Sequence, residues 1–268
     1  MRIIMAEETS LVAVVIPVYK SYLSDQDRIS LNQTYKVLAR YPMIVVHPEG
    51  LDLSEFRRDY PALQYLSFDK SYFSSIVGYN KLMLAEEFYL AFSDYQYILI
   101  DQLDVFIFKD ELEQWCLKGY DYIGAPWIQN KIGRLPVVRH FSKLIAYTKR
   151  LFGKKSKYYR YGKVGNGGLS LRKVQSHINV IRTQPVQVRQ YAEIKNRQHL
   201  YNEDTFWAME PIGFKYPSAQ EAMLFSYNKY PEQSYKLTKG ATPFGCHGWT
   251  KPKYRKFWCT KGDVPTMP

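Results

Sequence analysis

Apolar residues in the first hundred positions fall into short runs separated by stretches of mixed polarity. Residues 11–17 (LVAVVIP), 43–47 (MIVVH), 63–68 (LQYLSF) and 97–100 (YILI) are four to seven residues long, the length of strands, and residues 11–17 are apolar throughout, as a buried strand is. Between them the period changes. Residues 26–40 follow Ser24 and Asp25, either of which suits an N-cap, and predict a helix. Residues 74–92 carry Ile76, Val77, Leu82, Leu84, Phe88 and Phe92 at helical spacing and predict one long helix. Strands alternating with helices predict an α/β fold: a mostly parallel central sheet flanked by helices, with ligands at the carboxyl ends of the strands.

The pattern then loosens. Residues 110–117 predict a short helix, 120–124 a strand and 167–171 a Gly-rich strand, with a helix beginning at Arg172, an acidic turn at Glu203 and Asp204, and a loop-rich tail of Tyr, Pro and Trp. There is no internal repeat and no low-complexity linker, so one domain over residues 1–268 is the simplest organisation.

Charge adds a feature that periodicity does not. The chain has 268 residues and a formal net charge of +12, from 37 Lys and Arg against 25 Asp and Glu. Eleven of those basic residues lie between Lys131 and Lys163, and no acidic residue does. The basicity therefore belongs to one insert. Within it Phe141, Leu144, Ile145, Thr148, Leu151 and Phe152 form one stripe, and Lys143, Tyr147, Arg150 and Lys154 the opposite one, a basic amphipathic helix. Three readings stay open: a helix docked on its own domain, a helix lying on an anionic membrane through residues 139–157, or a phosphate-binding surface for nucleic acid. No zinc finger, RNA-recognition signature or helix-turn-helix supports the last, so no nucleic-acid partner is expected.

With 46% hydrophobic and 16% aromatic residues, disorder is excluded for most of the chain. No apolar run approaches the roughly 20 residues of a bilayer span. Residues 1–10 lack the apolar stretch and cleavage site of a secretory signal, so a cytoplasmic protein is expected, one that could gather at the inner face of the membrane. Cys116, Cys246 and Cys259 are odd in number and without zinc-like spacing, which suggests reduced thiols.

Candidate chemistry centres on residues 97–108 (YILIDQLDVFIF), where Asp101 and Asp104 interrupt an apolar run at a strand's carboxyl end. Carboxylates there need a cation or hydrogen bonds to offset desolvation: a hard metal, or failing that a cap on the next helix.

This segment resembles the strand, Asp-x-Asp, strand motif of GT-A fold glycosyltransferases, with Asp104 at the second, metal-binding Asp and Gln102 in place of the first. Residues 14–19 (VVIPVY) resemble their first strand and residues 164–172 (VGNGGLSLR) the segment lining their sugar pocket. Asn202, Glu203 and Asp204 resemble the acidic pair that supplies the base in inverting members, and residues 243–249 (PFGCHGW) the late histidine completing the metal site. More specifically, residues 11–258 resemble an uncharacterised, mostly bacterial family of glycosyltransferase-like proteins, through residues 75–82 (SIVGYNKL), 121–127 (DYIGAPW), 165–168 (GNGG) and the motifs above.

The resemblance implies a metal-dependent enzyme moving a hexose from a nucleotide-diphosphate sugar to a hydroxyl of a bacterial surface glycan such as an O-antigen or capsule. Residues 11–104 form its nucleotide-binding half, residues 105–258 the half for sugar and acceptor, and residues 131–163 the insert. Asp104 and His247 hold Mn2+ or Mg2+; Pro17, Val18, Tyr19, Lys20, Asn80, Lys81 and Gln102 face the nucleotide; Trp127, Asn166, Gly167 and Gly168 shape the sugar site; Glu203 or Asp204 is the base, with inversion. The acceptor is a glycan or a lipid-linked glycan. The Gln102 departure leaves an alternative, a noncatalytic glycan-binding or assembly protein of the same fold. Trp127 suits sugar stacking, though large aromatics also build cores.

Overall fold

The structure is a computed structural model that describes residues 9–130, 132–153, 155–193 and 199–265. Residues 1–8, Lys131 and Lys154, on which the readings of the N-terminus and of the basic stripe partly rest, lie outside the described residues.

Four strands with their intervening helices build the first half. In order they are β1 (Ser10–Pro17), α1 (Asp25–Val37), β2 (Met43–Pro48), α2 (Ser54–Asp59), β3 (Gln64–Phe68), a 3-10 turn, α3 (Ile76–Leu82), α4 (Glu86–Leu90) and β4 (Tyr95–Asp101). Ser24 caps α1: its hydroxyl accepts from the Asp27 amide and the Asp27 carboxylate reaches back, a capping box that fixes where the helix starts. The second half adds β5 (Val105–Ile107), α5 (Leu112–Leu117), β6 (Tyr122–Gly124), α6 (Pro136–Leu151), β7 (Leu169–Lys173), α7 (Val174–Thr183), α8 (Pro185–Ala192), α9 (Glu203–Met209), α10 (Ala219–Phe225), β8 (Ser226–Tyr227), α11 (Pro231–Leu237), β9 (Gly245–His247) and α12 (Pro252–Lys261).

The large sheet has the order β3-β2-β1-β4-β7-β6. The first four strands are parallel, and β7 alone runs antiparallel to its neighbours β4 and β6. Alternate residues of the central strands feed two cores. Val12, Val14, Ile16 and Leu99 pack with Leu31, Phe56, Trp115 and Phe225 on one face; Ala13, Val15, Ile98 and Ile100 pack with Leu82, Phe88, Ile178 and Trp207 on the other. A strand buried on both faces has no polar alternation, which is why these runs are continuous in the sequence. A second sheet, β5-β9-β8, covers a third core of Phe106, Trp249 and Trp258.

Three expectations are corrected. The helix expected over residues 74–92 is split into α3 and α4. Leu82, Met83 and Leu84 are all buried, whereas three successive residues of one helix spread over about 200° and cannot all face one core. The chain turns there, and the Met83 carbonyl accepts instead from the Tyr89 hydroxyl and the Trp207 indole. Arg172 does not begin a helix; it lies inside β7 and the helix starts at Val174. The tail is not loop-rich either, because Pro231 and Pro252 open α11 and α12, positions where a missing amide hydrogen costs nothing.

Candidate active site

The strand order reverses direction of growth at β1 and β4, and such a switch point leaves a crevice at the strands' carboxyl ends. β1 delivers Pro17 and Val18, both buried, followed by exposed Tyr19 and Lys20. The Lys20 ammonium lies 5.6 and 5.8 Å from the ring centroids of Tyr19 and Tyr22. β4 ends at Asp101, and Gln102 continues into the crevice, its amide nitrogen donating to the Tyr79 hydroxyl of α3 at 3.2 Å.

The two carboxylates of this segment part company. Asp101 is buried and turns back toward α1, where Oδ2 accepts from Thr34 at 2.7 Å. Burial pushes its pKa up to about 7. Asp104 goes the other way: its Oδ1 sits 3.0 Å from His247 Nε2. Backbone pairing enforces this meeting across 143 residues of chain, because Val105 pairs with His247 in the β5-β9 ladder and the Gly248 amide donates to the Asp104 carbonyl. Burial acts to raise the Asp104 pKa, but the facing imidazole, its hydrogen bond and Lys251 outweigh it and hold the carboxyl below the usual range.

A Gly-rich loop closes over this pair. The Gln102 amide donates to the Gly168 carbonyl at 3.0 Å, which fixes the loop to the end of β4. A Cβ on Gly168 would lie 2.3 Å from His247 Nε2, and one on Gly167 2.0 Å from Glu203 Oε1. Both glycines are required by close approach. Asn166, between them and Gly165, adopts a left-handed φ of 72°, and its buried Oδ1 has no hydrogen-bond partner among the described residues.

Beneath the loop lies a charge with no access to water. Arg172 is fully buried and donates to the Ser170 hydroxyl at 3.0 Å, the Tyr89 hydroxyl at 2.9 Å and the Glu203 carboxylate, while Ser170 donates to the Gly167 carbonyl. Burial pushes Glu203 up, to about 7, against the opposing pull of Arg172. The Glu203 amide donates to Asn80 Oδ1, so α3 and α9 are tied under the same loop. Asp204, the next residue, is half-buried; burial raises its pKa, with Arg160 opposing. Trp127 is 9% exposed, with Gly165 against its ring and the Arg160 guanidinium 4.6 Å from its centroid.

The structure thus brings Gln102, Asp104, His247, Asn166, Gly167 and Gly168 to one place, with Tyr19 and Lys20 at the neighbouring strand end. Lys81 is exposed on α3. Glu203 and Trp127 lie beneath the surface as packed groups. A cavity of about 700 Å3 lies on the outer side of α9, lined by Arg160, Thr205 and Tyr191 and not by Asp104 or His247. Sequence reasoning gave no role to Arg172, Tyr79 or Arg160. The signal for Arg172 was faint: β7 reads LSLRK, which puts Arg172 on the same strand face as Ser170 and opposite Leu169 and Leu171.

A divalent ion fits this donor set in part. Asp104 and His247 offer one hard oxygen and one imidazole, and with the Gln102 nitrogen spent on Tyr79 its carbonyl oxygen is the next available donor. No group of three His, Cys, Asp or Glu side chains able to hold a metal occurs among the described residues, so an ion here would need further oxygens from water or a ligand.

Comparisons with known proteins agree on the fold. Residues 62–247 match the family described as "Protein of unknown function (DUF5672)". No curated protein matches the sequence. Among solved structures, galactosyltransferase LgtC in complex with donor and acceptor sugar analogs superimposes with a TM-score of 0.54 at 15% identity, covering 96% of this chain and 97% of that one. Mouse xyloside xylosyltransferase 1 gives 0.52 at 14% identity, over 88% and 97%. Core-mannan synthase A from Aspergillus fumigatus, in its Mn/GDP form, gives 0.50 at 11% identity, over 77% and 70%. The fold is that of GT-A glycosyltransferases.

Proposed function

We propose that this chain, which belongs to the DUF5672 family of proteins of unknown function, is a metal-dependent glycosyltransferase that moves a hexose from a nucleotide-diphosphate sugar to a hydroxyl of a bacterial surface glycan. One observation carries the reading: Asp104 and His247 meet at 3.0 Å, directly against the Gly168 loop, at the crevice where parallel α/β sheets bind ligands. An ionised carboxylate and an imidazole held together at the mouth of such a crevice suit a cation shared with a diphosphate. Fold neighbours named as a galactosyltransferase, a xylosyltransferase and a core-mannan synthase, the last in a Mn/GDP form, support the same reading.

In this reading the nucleotide lies over Pro17 to Lys20, and Lys20, Asn80 and Lys81 line the side nearest α3. Gln102 contacts the ribose or the ion. A Mn2+ or Mg2+ held by Asp104 and His247 would supply Lewis-acid stabilisation of the departing diphosphate. Asn166, Gly167 and Gly168 present backbone to the sugar, and the unpartnered Asn166 Oδ1 accepts from one of its hydroxyls. The acceptor oxygen bonds to the anomeric carbon as the bond to the diphosphate oxygen breaks, and the acceptor proton passes to a carboxylate. Of the acidic pair, Asp204 is the candidate base, because it keeps partial access and burial raises its proton affinity. Glu203 serves as the counter-ion of Arg172. Direct attack implies inversion.

Purified protein incubated with a panel of nucleotide sugars and manganese should hydrolyse or transfer from at least one, and Asp104→Ala should abolish it. Absence of turnover and of nucleotide binding across the panel overturns the reading. Gln102, an amide where GT-A motifs place a carboxylate, favours one alternative, a noncatalytic glycan-binding protein of this fold. Titration calorimetry separates the two, since that protein binds glycan without metal or nucleotide.

A further inference from the structure

Helix α6 is attached to the protein along a narrow seam of Val138, Ser142 and Ala146, spaced four residues apart. Ala146 is its only buried residue among those described, and the helix packs on the 3-10 turn Lys157–Arg160. The large apolar residues of α6 lie outside this seam. Val137, Phe141, Leu144, Ile145 and Leu151 are 54 to 67% exposed, and Phe152 at the helix end is 79% exposed. Ile132 and Leu135, in the turn that leads into α6, extend the same exposed apolar surface.

This arrangement inverts the usual surface helix. A helix docked on its own domain turns its apolar stripe inward; α6 turns small residues inward and phenylalanine and leucine outward. At about 100° per residue the exposed cations Arg139, Lys143 and Arg150 lie together on one flank of the seam, on the side away from the apolar residues, and exposed Lys149 falls within the arc of the seam itself. The surrounding segment from Lys131 to Lys163 has no acidic residue to neutralise them. An exposed apolar face, a cationic polar face and no acidic residue among them match a helix lying in the plane of a bilayer interface, with long ammonium and guanidinium side chains reaching toward acidic headgroups. No helix among the described residues is long and apolar enough to cross a membrane, so the contact is one of lying on the surface.

We propose that the outer face of α6 docks the protein onto an anionic lipid bilayer. The inference deepens the functional reading without depending on it: a surface-bound glycosyltransferase acts on an acceptor carried by a lipid, and the docking itself requires no catalysis. Arg150 and Gly153, at the end of α6, line the 700 Å3 cavity that α9 borders, so docking places that cavity next to the headgroups.

Cosedimentation of the full chain with vesicles tests this. The chain should bind vesicles of phosphatidylglycerol and phosphatidylethanolamine, and binding to pure phosphatidylcholine should be about tenfold weaker, falling with added salt in the first case only. The pair Phe141→Ser and Leu144→Ser should cut binding to anionic vesicles about tenfold with an unchanged melting temperature, since both side chains are exposed. The pair Lys143→Glu and Lys149→Glu should remove the preference for anionic vesicles. Nucleotide binding should persist in both variants, which separates failure of docking from failure of the functional reading. Equal binding by parent and Phe141→Ser, Leu144→Ser protein overturns the proposal. So does a concentration-dependent dimer in sedimentation velocity that these substitutions dissociate, or salt-sensitive binding of duplex DNA in place of vesicles.

Discussion

Arg172 Nη2 lies 3.0 Å from Glu203 Oε2, and neither side chain is more than 5% exposed. The pair joins the strand that follows the Gly-rich loop to the helix that runs beneath it, so loop position and core electrostatics are one problem. Removing a single partner strands a buried charge and should cost about 3–5 kcal/mol. Arg172→Met should therefore lower the urea midpoint strongly, and Arg172→Met combined with Glu203→Leu should regain much of the loss. A double variant no more stable than the single one would show that the pair is not coupled.

The Gly168 loop makes a sharper demand. An alanine Cβ there would fall 2.3 Å from His247 Nε2, so Gly168→Ala must displace either the loop or the imidazole. The expected result is a normal circular dichroism spectrum with manganese-dependent nucleotide binding weakened about tenfold or more, since loss of one ligand or of its orientation typically costs 10- to 100-fold. Unchanged binding in titration calorimetry would place the ion elsewhere.

Much of this arrangement was legible in the sequence, for reasons that differ by element. β1, β2 and β4 are buried on both faces, and a continuous apolar run is the direct record of that. The α6 stripe was equally visible, but which side faces the protein is set by small residues, Ser142 and Ala146, whose docking no periodicity announces. The break at Met83 was hidden because α3 and α4 each keep helical spacing, and only the partners of the Met83 carbonyl, Tyr89 and Trp207, reveal the turn. Asp104 and His247 were paired by motif order alone. What brings them together is the β5-β9 ladder, formed by short strands with little pattern of their own.

The two ligands proposed for the cation make a weak site by themselves. Because Asp104 and His247 are not joined by a third acidic, histidine or cysteine side chain among the described residues, manganese alone should bind feebly and a nucleoside diphosphate should raise its affinity by supplying oxygens. Linkage makes the effect reciprocal, so manganese should tighten the nucleotide by the same factor. Electron paramagnetic resonance titration of free Mn2+, with and without nucleotide, reads it directly. His247→Ala and Asp104→Ala should each abolish the enhancement, and equal manganese affinity in the absence and presence of nucleotide would sink the idea.

Asp101 provides a prediction of opposite character, about stability rather than ligand binding. In the folded protein burial pushes its pKa from 3.8 to about 7, the Thr34 hydrogen bond opposing and the Asp104 charge adding to the rise, and Oδ1 has no partner among the described residues. The neutral acid is therefore the form the fold prefers. Below about pH 4 folded and unfolded chains are both protonated at this group and it imposes no pH dependence. As pH rises toward 7 the unfolded chain releases the proton and the folded one retains it, so the contribution of Asp101 to stability falls; above 7 both are ionised and the fall stops. Asp101→Asn carries no charge at any of these values. Its stability relative to the parent should therefore climb between pH 4 and 7 and then level off, by up to about 4 kcal/mol, since each tenfold gain in proton affinity on folding is worth about 1.4 kcal/mol. Urea denaturation of both proteins at pH 4, 5, 6, 7 and 8 measures the difference. A constant offset across that range would mean that Asp101 ionises in the fold as readily as it does in water, and that its burial beside Thr34 is offset by contacts beyond the single hydrogen bond from that hydroxyl.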